Sequence, residues 1–302
     1  YKGEPSIKNV VFQIIENADT AILALQNGEV DAYQMTPQQV KKLDLDASNL
    51  STYSYSEGRV GYLEINCNRV TDEKVRKALL YAMDRKAMDD AAFESSEYYS
   101  IPYTFLPTNS QFYTEDGVEK YEQDVDKAKS MLEDAGVSGL KLKLGYMSSD
   151  AVQSAQALLI QEQLKEVGVT VELAGGDGTA IANAMKDPDN EYDMYLGGYI
   201  MGIDPDTFSS LFENDGAYNY MHYSGYDTID QLFEEGRSEL DESARKETYA
   251  KLQAAVQDTG AFYPIISNNK ILVVNNRIQG VEDAGLVPVY TFEDTSSLKI
   301  AE

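Results

Sequence analysis

The residues able to do covalent chemistry are few, and their spacing does not assemble a catalytic centre. Asp204 and Asp206 are near neighbours that in principle supply an acid and a base, but among 51 acidic residues such pairs arise from composition alone. His222 is the only histidine and Cys67 the only cysteine. A lone histidine cannot build a histidine metal cluster, and a lone cysteine cannot close an intramolecular disulfide. Ala174-Gly175-Gly176-Asp177-Gly178 sits between a strand pattern and a helix pattern, where an anion-binding turn could form. It lacks the G-x-G-x-x-G spacing, however, and reads as a plain glycine turn. Asp187-Pro188-Asp189-Asn190-Glu191 does not follow the calcium-loop pattern. No H-E-x-x-H, C-x-x-C, G-x-S-x-G or phosphate-loop motif occurs. The expectation is a protein that is not an enzyme and holds no metal and no cofactor.

Recognition chemistry is better represented. The chain carries 22 tyrosines, 9 phenylalanines and no tryptophan. Tyrosine offers a flat apolar face with one polar tip, which suits a site that holds a flexible polar ligand without transforming it. The net charge of −26 and the lack of any Lys/Arg cluster exclude nucleic acid as a partner, since a phosphate backbone needs a concentrated basic face. The acidity reads as a self-repelling, soluble surface. With 302 residues, 43% hydrophobic and 25% charged, the chain can bury a core of two structural units. No apolar run reaches the roughly 18 residues of a membrane-crossing helix.

The elements that must position such a site alternate between strand and helix. Ile7 to Ile15, Val30 to Met35, Leu50 to Tyr55 and Val60 to Cys67 read as strands. Between the first two, Asp19 is placed to cap a helix that ends at Gly28; Thr36 caps a short helix after the second. From Thr71 the pattern turns helical around Val75, Leu79, Ala82 and Met83, followed by a tyrosine-rich loop from about Tyr98 to Tyr121. That loop is long enough to be a site element, or it is a surface loop packed by its own aromatics. Helices at Asp124–Gly136, Val152–Val167 and Thr179–Met185 then alternate with strands at Leu140–Tyr146, Val169–Leu173 and Tyr192–Tyr199. This run predicts an α/β unit with parallel pairing. Helices at Asp206–Glu213, Ile229–Leu240 and Glu242–Asp258 precede strands at Phe262–Ile266 and Ile271–Val274. Strand-rich ends around a helix-rich middle predict one lobe inserted in another, with crossings near residues 64–68 and 262–270.

Several segments together resemble the bacterial extracellular solute-binding proteins of family 5, the oligopeptide- and dipeptide-binding components of ABC importers. They are Tyr1-x-Gly3-x-Pro5, Ala24-Leu25-x-x-Gly28-Glu29-Val30-Asp31, and Asn66 followed by Asp72-x-x-Val75-Arg76-x-Ala78-Leu79-x-Tyr81-Ala82-Met83-Asp84-Arg85. Ala128-x-x-Met131-Leu132-x-x-Ala135-Gly136, Gln161-x-x-Leu164-x-x-Val167-Gly168-Val169 and Tyr192-Asp193-Met194 continue the family's order. Gly198-Tyr199, Asp204-Pro205-Asp206, Asn219-Tyr220-x-x-Tyr223-Ser224 and Arg245-x-x-x-Tyr249-x-x-x-Gln253 complete it. The chain opens at Tyr1 without an initiator Met or a leader, and the resemblance implies a C-terminal fragment of a longer protein.

The resemblance implies a periplasmic-binding-protein-like two-lobed α/β fold of the class II type. Residues 1–64 and 268–302 would be an incomplete lobe one, 65–267 a complete lobe two, and Asn66 and Asn268 the hinge. Ligand contacts are expected at Tyr199, Met201, Gly202, Ile203, Asp204, Tyr218 and Asn219. Tyr199 stands where relatives carry a cleft tryptophan, and either stacks on the ligand or packs in the core. Peptide-binding relatives place an Asp about three residues further on to meet the ligand's ammonium group. Gly202 takes that position and cannot pair a charge, while Asp204 aligns better with a helix cap. The expected function is capture of an oligopeptide and delivery to an ABC transporter permease by hinge closure. The alternatives are a non-peptide solute, such as a nickel complex, a glycoside or an opine, and a surface peptide sensor. The expected setting is extracytoplasmic, in the periplasm or as a monomeric cell-surface lipoprotein whose only membrane tie is an N-terminal lipid anchor outside this sequence.

Overall fold

A computed structural model describes residues 5–93, 95–200, 202, 204–224, 227–288 and 290–301. In chain order the main elements are α1 (Ala18–Gln26), β1 (Ala32–Met35), α2 (Pro37–Val40), β2 (Leu50–Ser56), β3 (Arg59–Ile65), α3 (Glu73–Tyr81), α4 (Arg85–Phe93), β4 (Tyr99–Ser100) and α5 (Val125–Asp134). There follow β5 (Lys141–Met147), α6 (Ala151–Glu166), β6 (Thr170–Gly176), α7 (Gly178–Ala184), β7 (Met194–Ile200), α8 (Ser209–Phe212), α9 (Asp227–Ser238), α10 (Glu242–Asp258) and β8 (Phe262–Asn275). The fold is α/β, and among the described residues no helix is long and apolar enough to cross a membrane.

The chain divides into two compact units. Unit 1 comprises residues 1–57, 97–99 and 268–302, and unit 2 comprises 58–96 and 100–267. The first crossing thus falls between Glu57 and Gly58, earlier than the expected 64–68. The reason is that β3 pairs with β7 along its whole length, from Arg59↔Ile200 to Ile65↔Met194.

In unit 1, β1 and β2 each pair antiparallel with the second half of β8. Side chains alternate across a strand, so Ile271 and Val273 join Ile22, Leu25, Met35 and Leu50 in one core. Leu272 and Val274 join Tyr55, Val281 and Leu298 in another. Asn17, rather than Asp19, caps α1 by accepting the Thr20 N–H at 2.9 Å. The strand expected at Ile7–Ile15 is absent: residues 5–17 carry no regular structure, and Phe12 and Ile14 are each 91% exposed. β-branched composition supplies propensity, but a strand exists only when a neighbour satisfies its backbone groups.

In unit 2 the sheet order is β8-β3-β7-β5-β6, with β5 parallel to β6 and β7 and β3 antiparallel to β7 and β8. One continuous strand, β8, replaces the two expected pieces at Phe262–Ile266 and Ile271–Val274. An aromatic core lies against β3: Phe105 stacks on Phe212 at 4.9 Å and Phe208 at 5.5 Å, together with Tyr62, Phe233, Tyr249 and Phe262. The loop around residues 101–121 is therefore the packed alternative, since its Phe105, Leu106 and Phe112 are core residues.

The helix that carried most of the family resemblance is a structural device. Asp72 caps α3 by accepting the Lys74 N–H at 2.8 Å. Arg76, buried, donates to the carbonyls of Val70, Thr71 and Thr259 at 3.0, 3.1 and 2.9 Å. Arg85 begins α4 with its guanidinium over the rings of Tyr103 and Tyr263, each 4.6 Å away.

Candidate functional site

In an open α/β sheet, ligands collect outside the carboxyl ends of parallel strands, where the connections diverge to opposite sides. Here that point is the end of β5 and β7, because the chain passes from β5 to β6 on one side and returns to β7 on the other. The first residues of the antiparallel β3 lie at the same end, with Arg59 opposite Ile200.

Of the expected contact residues, Tyr199, Gly202 and Asp204 lie on or just beyond this strand end. Tyr199 is half-buried: its hydroxyl is 2.9 Å from Ser210 Oγ, and its ring lies 5.7 Å from Phe208 and 6.0 Å from Tyr218. It is both a packing residue and the inner part of an aromatic shelf whose outer part, Tyr218, is 44% exposed. Gly202 has φ +85° and nothing within 4 Å of where a Cβ would stand. Glycine is needed there for the backbone turn rather than for space. Met201 and Ile203 lie outside the described residues.

Asp204 acts as a cap, accepting the Asp206 N–H at 3.0 Å, and its carboxylate pairs with Arg245 at 3.1 Å. Asp206 pairs with Arg237 at 2.9 Å. Each of the two carboxylates thus has its own guanidinium partner. Asn219 is buried and donates to the Glu213 carbonyl at 3.1 Å, while its Oδ1 has no hydrogen-bond partner. It lines a cavity of 380 Å³ with Asn68, Lys186, Tyr220 and His222.

The structure separates the two expected hinge residues. Asn66 is buried within unit 2: its Oδ1 accepts the Asn68 N–H at 3.0 Å and its own N–H donates to the Asp193 carbonyl. These bonds fix the turn that follows β3. Asn268 stands at the second crossing, its amide hydrogen-bonded to the Glu57 carboxylate and its carbonyl accepting the Glu57 N–H at 3.1 Å.

The nucleophile and base candidates are engaged elsewhere. His222 Nε2–H donates to the Met185 carbonyl at 2.7 Å. Burial pushes the Cys67 thiol up to about 11, away from the reactive thiolate. The 174–178 turn is closed by Asp177, which caps α7 through the Ala180 N–H at 2.8 Å. Among the described residues no group of His, Cys, Asp or Glu side chains is arranged to hold a metal ion.

Sequence reasoning missed two features. Glu64, fully buried on β3 opposite Tyr195, has no partner for either oxygen, and burial raises it well above the carboxylate range. Arg59 at the strand end carried no motif, and only its position just after Gly58 at the start of a strand marked it.

Comparison with known proteins bears on the same residues. Residues 1–220 match the family model described as bacterial extracellular solute-binding proteins, family 5 Middle. The oligopeptide-binding protein AppA of Bacillus subtilis is 25% identical over 303 residues, covering 91% of this chain and 54% of that protein. The dipeptide-binding protein of Escherichia coli is 25% identical over 288 residues, covering 92% of this chain and 53% of that protein. Among solved structures, the ABC transporter substrate binding protein CtaP of Listeria monocytogenes superposes with a TM-score of 0.93 at 37% identity, over 100% of this chain and 62% of that one. The chain spans about half the length of these curated relatives.

Proposed function

The chain belongs to the bacterial extracellular solute-binding proteins of family 5, and on that premise we propose that it captures an oligopeptide outside the cytoplasm for delivery to an ABC transporter permease. The observation that carries this reading is the end of β5 and β7. It offers an aromatic shelf of Tyr199 and Tyr218 and an exposed backbone position at Gly202. Such a surface suits binding by stacking and by main-chain hydrogen bonds.

Tyr199, Gly202, Tyr218 and Asn219 are the proposed contact residues, with Asp204 supporting the turn through its cap and Arg245. Units 1 and 2 are proposed as the remainder of lobe one and as lobe two, with Asn268 as the hinge candidate that the division of the chain favours. Binding by closure then follows from contacts that stabilise one conformation over another.

Native mass spectrometry of the gently purified complete protein tests the substrate class. Released peptides are expected, and peptides acetylated at the amino terminus should bind as well as free ones, because Gly202 provides no carboxylate for the ammonium group. A retained non-peptide mass with no peptide binding would overturn the peptide reading.

Tyr199 gives a second measurable expectation. Tyr199→Phe keeps the ring and loses the Ser210 bond, so it should cost about 1 kcal/mol of stability and leave peptide affinity within about twofold. Tyr199→Ala removes the shelf and should weaken peptide binding about tenfold or more, read by calorimetric titration. Equal affinity of Tyr199→Ala and the wild type would confine Tyr199 to packing.

A further inference from the structure

We propose that Arg59 is a carboxylate-binding residue of the strand-end site, so that the ligand carries a carboxylate, either a peptide C-terminus or an acidic side chain. The proposal rests on the reading of that strand end as the ligand site, and it adds a chemical requirement on the ligand.

The carrying observation is an arginine left without a partner in a chain with 51 acidic residues. Every other arginine is engaged. Arg69 pairs with Asp193, Arg237 with Asp206 and Glu213, Arg245 with Asp204, and Arg277 with Asp31. Arg76 and Arg85 are buried on backbone carbonyls. The Arg59 side chain has no hydrogen bond and no ion pair among the described residues, although it is half-buried. In a surface so acidic, an unpaired guanidinium held partly out of water is an unmet demand for an anion.

The surroundings hold that guanidinium in place without neutralising it. Arg59 stands opposite Ile200, and Gly61 opposite Gly198, so all four side-chain positions share one face of the β3–β7 pair. The guanidinium lies across the two glycines. A Cβ on Gly198 would collide with it outright, and one on Gly61 would come within 3.3 Å of Nη1. Two glycines on paired strands thus form a trough of bare backbone in which the planar fork rests. The face remains open: Gly198 is exposed and Ile200 is 49% exposed. A solute at the end of β7 can therefore reach the fork, whose two parallel N–H donors match a carboxylate. Ile200, directly opposite Arg59, closes β7 at the strand-end site, so the fork stands at the same end of the sheet as Tyr199, on the opposite face of the β3–β7 pair.

The test is calorimetric titration of the complete protein, as wild type, Arg59→Gln and Arg59→Lys, with four probes. These are an unblocked pentaalanine, its C-terminal amide, the amide carrying one glutamate, and glutarate as a non-peptide carboxylate. Charge-assisted bonds of this kind are worth about ten- to a hundredfold in affinity. Wild type is expected to bind a carboxylate-bearing probe at least tenfold tighter than the plain amide. Arg59→Gln should abolish that difference and leave binding of the plain amide within about twofold. Arg59→Lys should recover part of it, since the charge returns without the fork. Preference for the free acid identifies the C-terminus as the source, and preference for the glutamate-bearing amide identifies a side chain.

The two readings fail separately. If glutarate alone binds and does so through Arg59, the peptide function is wrong and the carboxylate site stands. If peptides bind with no preference for a carboxylate, or keep the preference in Arg59→Gln, the carboxylate site is overturned and the peptide function stands. If no probe binds the wild type, both are overturned. An unchanged melting temperature of Arg59→Gln, expected because the Arg59 guanidinium makes no hydrogen bond or ion pair in the fold, shows that the loss belongs to the ligand.

Discussion

Arg85→Ala is expected to destabilise the protein by about 3–5 kcal/mol, the range for removing a buried charge that satisfies several partners. Arg85 is 5% exposed. Its guanidinium donates to the carbonyls of Pro102 and Pro264 at 3.4 and 3.3 Å and to those of Lys120 and Tyr121, and it lies over the rings of Tyr103 and Tyr263. Four carbonyls converge on one side chain, three of them, from Pro102, Lys120 and Tyr121, at the two ends of the 101–121 loop. Alanine leaves those oxygens with poorer or no partners and opens a cavity beside the Tyr103 and Tyr263 rings. The loop carries Phe105 and Phe112 into the core, so its release should lower the cooperativity of unfolding as well as the midpoint. Urea unfolding followed by tyrosine fluorescence measures both. Arg85→Lys should recover only part of the loss, because an ammonium group lacks the planar fork and the stacking face. A loss below about 1 kcal/mol for the alanine variant would show that water replaces the guanidinium, contrary to the burial observed.

The second large effect is on pH dependence. Asp89 on α4 is fully buried, and burial raises its carboxyl to about 9 against the opposing influence of Gln156 and Arg85. Glu64 on β3 is likewise raised well above its usual range by burial alone, among Tyr62, Tyr195 and Tyr220. In the unfolded chain both ionise near pH 4. In the folded chain Asp89 keeps its proton up to about pH 9. Between those values the folded state binds more protons than the unfolded one, so stability falls as pH rises. The decline is at most about 1.4 kcal/mol per pH unit for each group.

Asp89→Asn and Glu64→Gln stay neutral in both states, so each should raise the melting temperature at pH 8 and change it little at pH 4.5. The net charge of −26 also destabilises the compact state at high pH through self-repulsion. That contribution remains almost intact in a single neutral variant, so the difference from wild type isolates the buried group. Melting curves that run parallel to wild type at every pH would mean that both carboxyls ionise in the folded protein. Arg85→Ala should also raise Asp89 further, since it removes the cation that favours the charged form.

Much of the architecture was legible because it is encoded between near neighbours. The α6 pattern from Val152 to Val167 appears as Ala151–Glu166, and the α10 pattern from Glu242 to Asp258 appears with the same bounds. The alternation of β5, β6 and β7 with α6 and α7 announced the parallel sheet. The Asp72-to-Arg85 stretch announced the family, although its arginines prove to serve carbonyls inside unit 2 rather than a ligand. The site was less legible. Asp204 read as a cap, and it is one, but nothing local shows that Arg245 takes its charge from 41 positions away.

Sequence alone determined the class of the protein: the order of helices and strands, an α/β sheet with parallel pairing, and membership of a solute-binding family. The order of elements depends on periodicity, caps and glycine stops, whose physics acts over a few residues, while the family was legible only through the resemblance of its motifs. Tertiary structure decided what each polar group meets. It left residues 5–17 without a partner strand, carried the long aromatic loop into the core, joined two expected strands into β8, and placed Asn66 away from the chain crossings. It also buried Glu64 without a partner and left Arg59 unpaired on a trough of glycines. The physical reason is that a charge is defined by its surroundings. A glutamate between Leu63 and Ile65 and an arginine between Gly58 and Val60 look ordinary in the chain. Whether each is neutralised, desolvated or left waiting for a ligand depends on strands that come back from more than a hundred residues away.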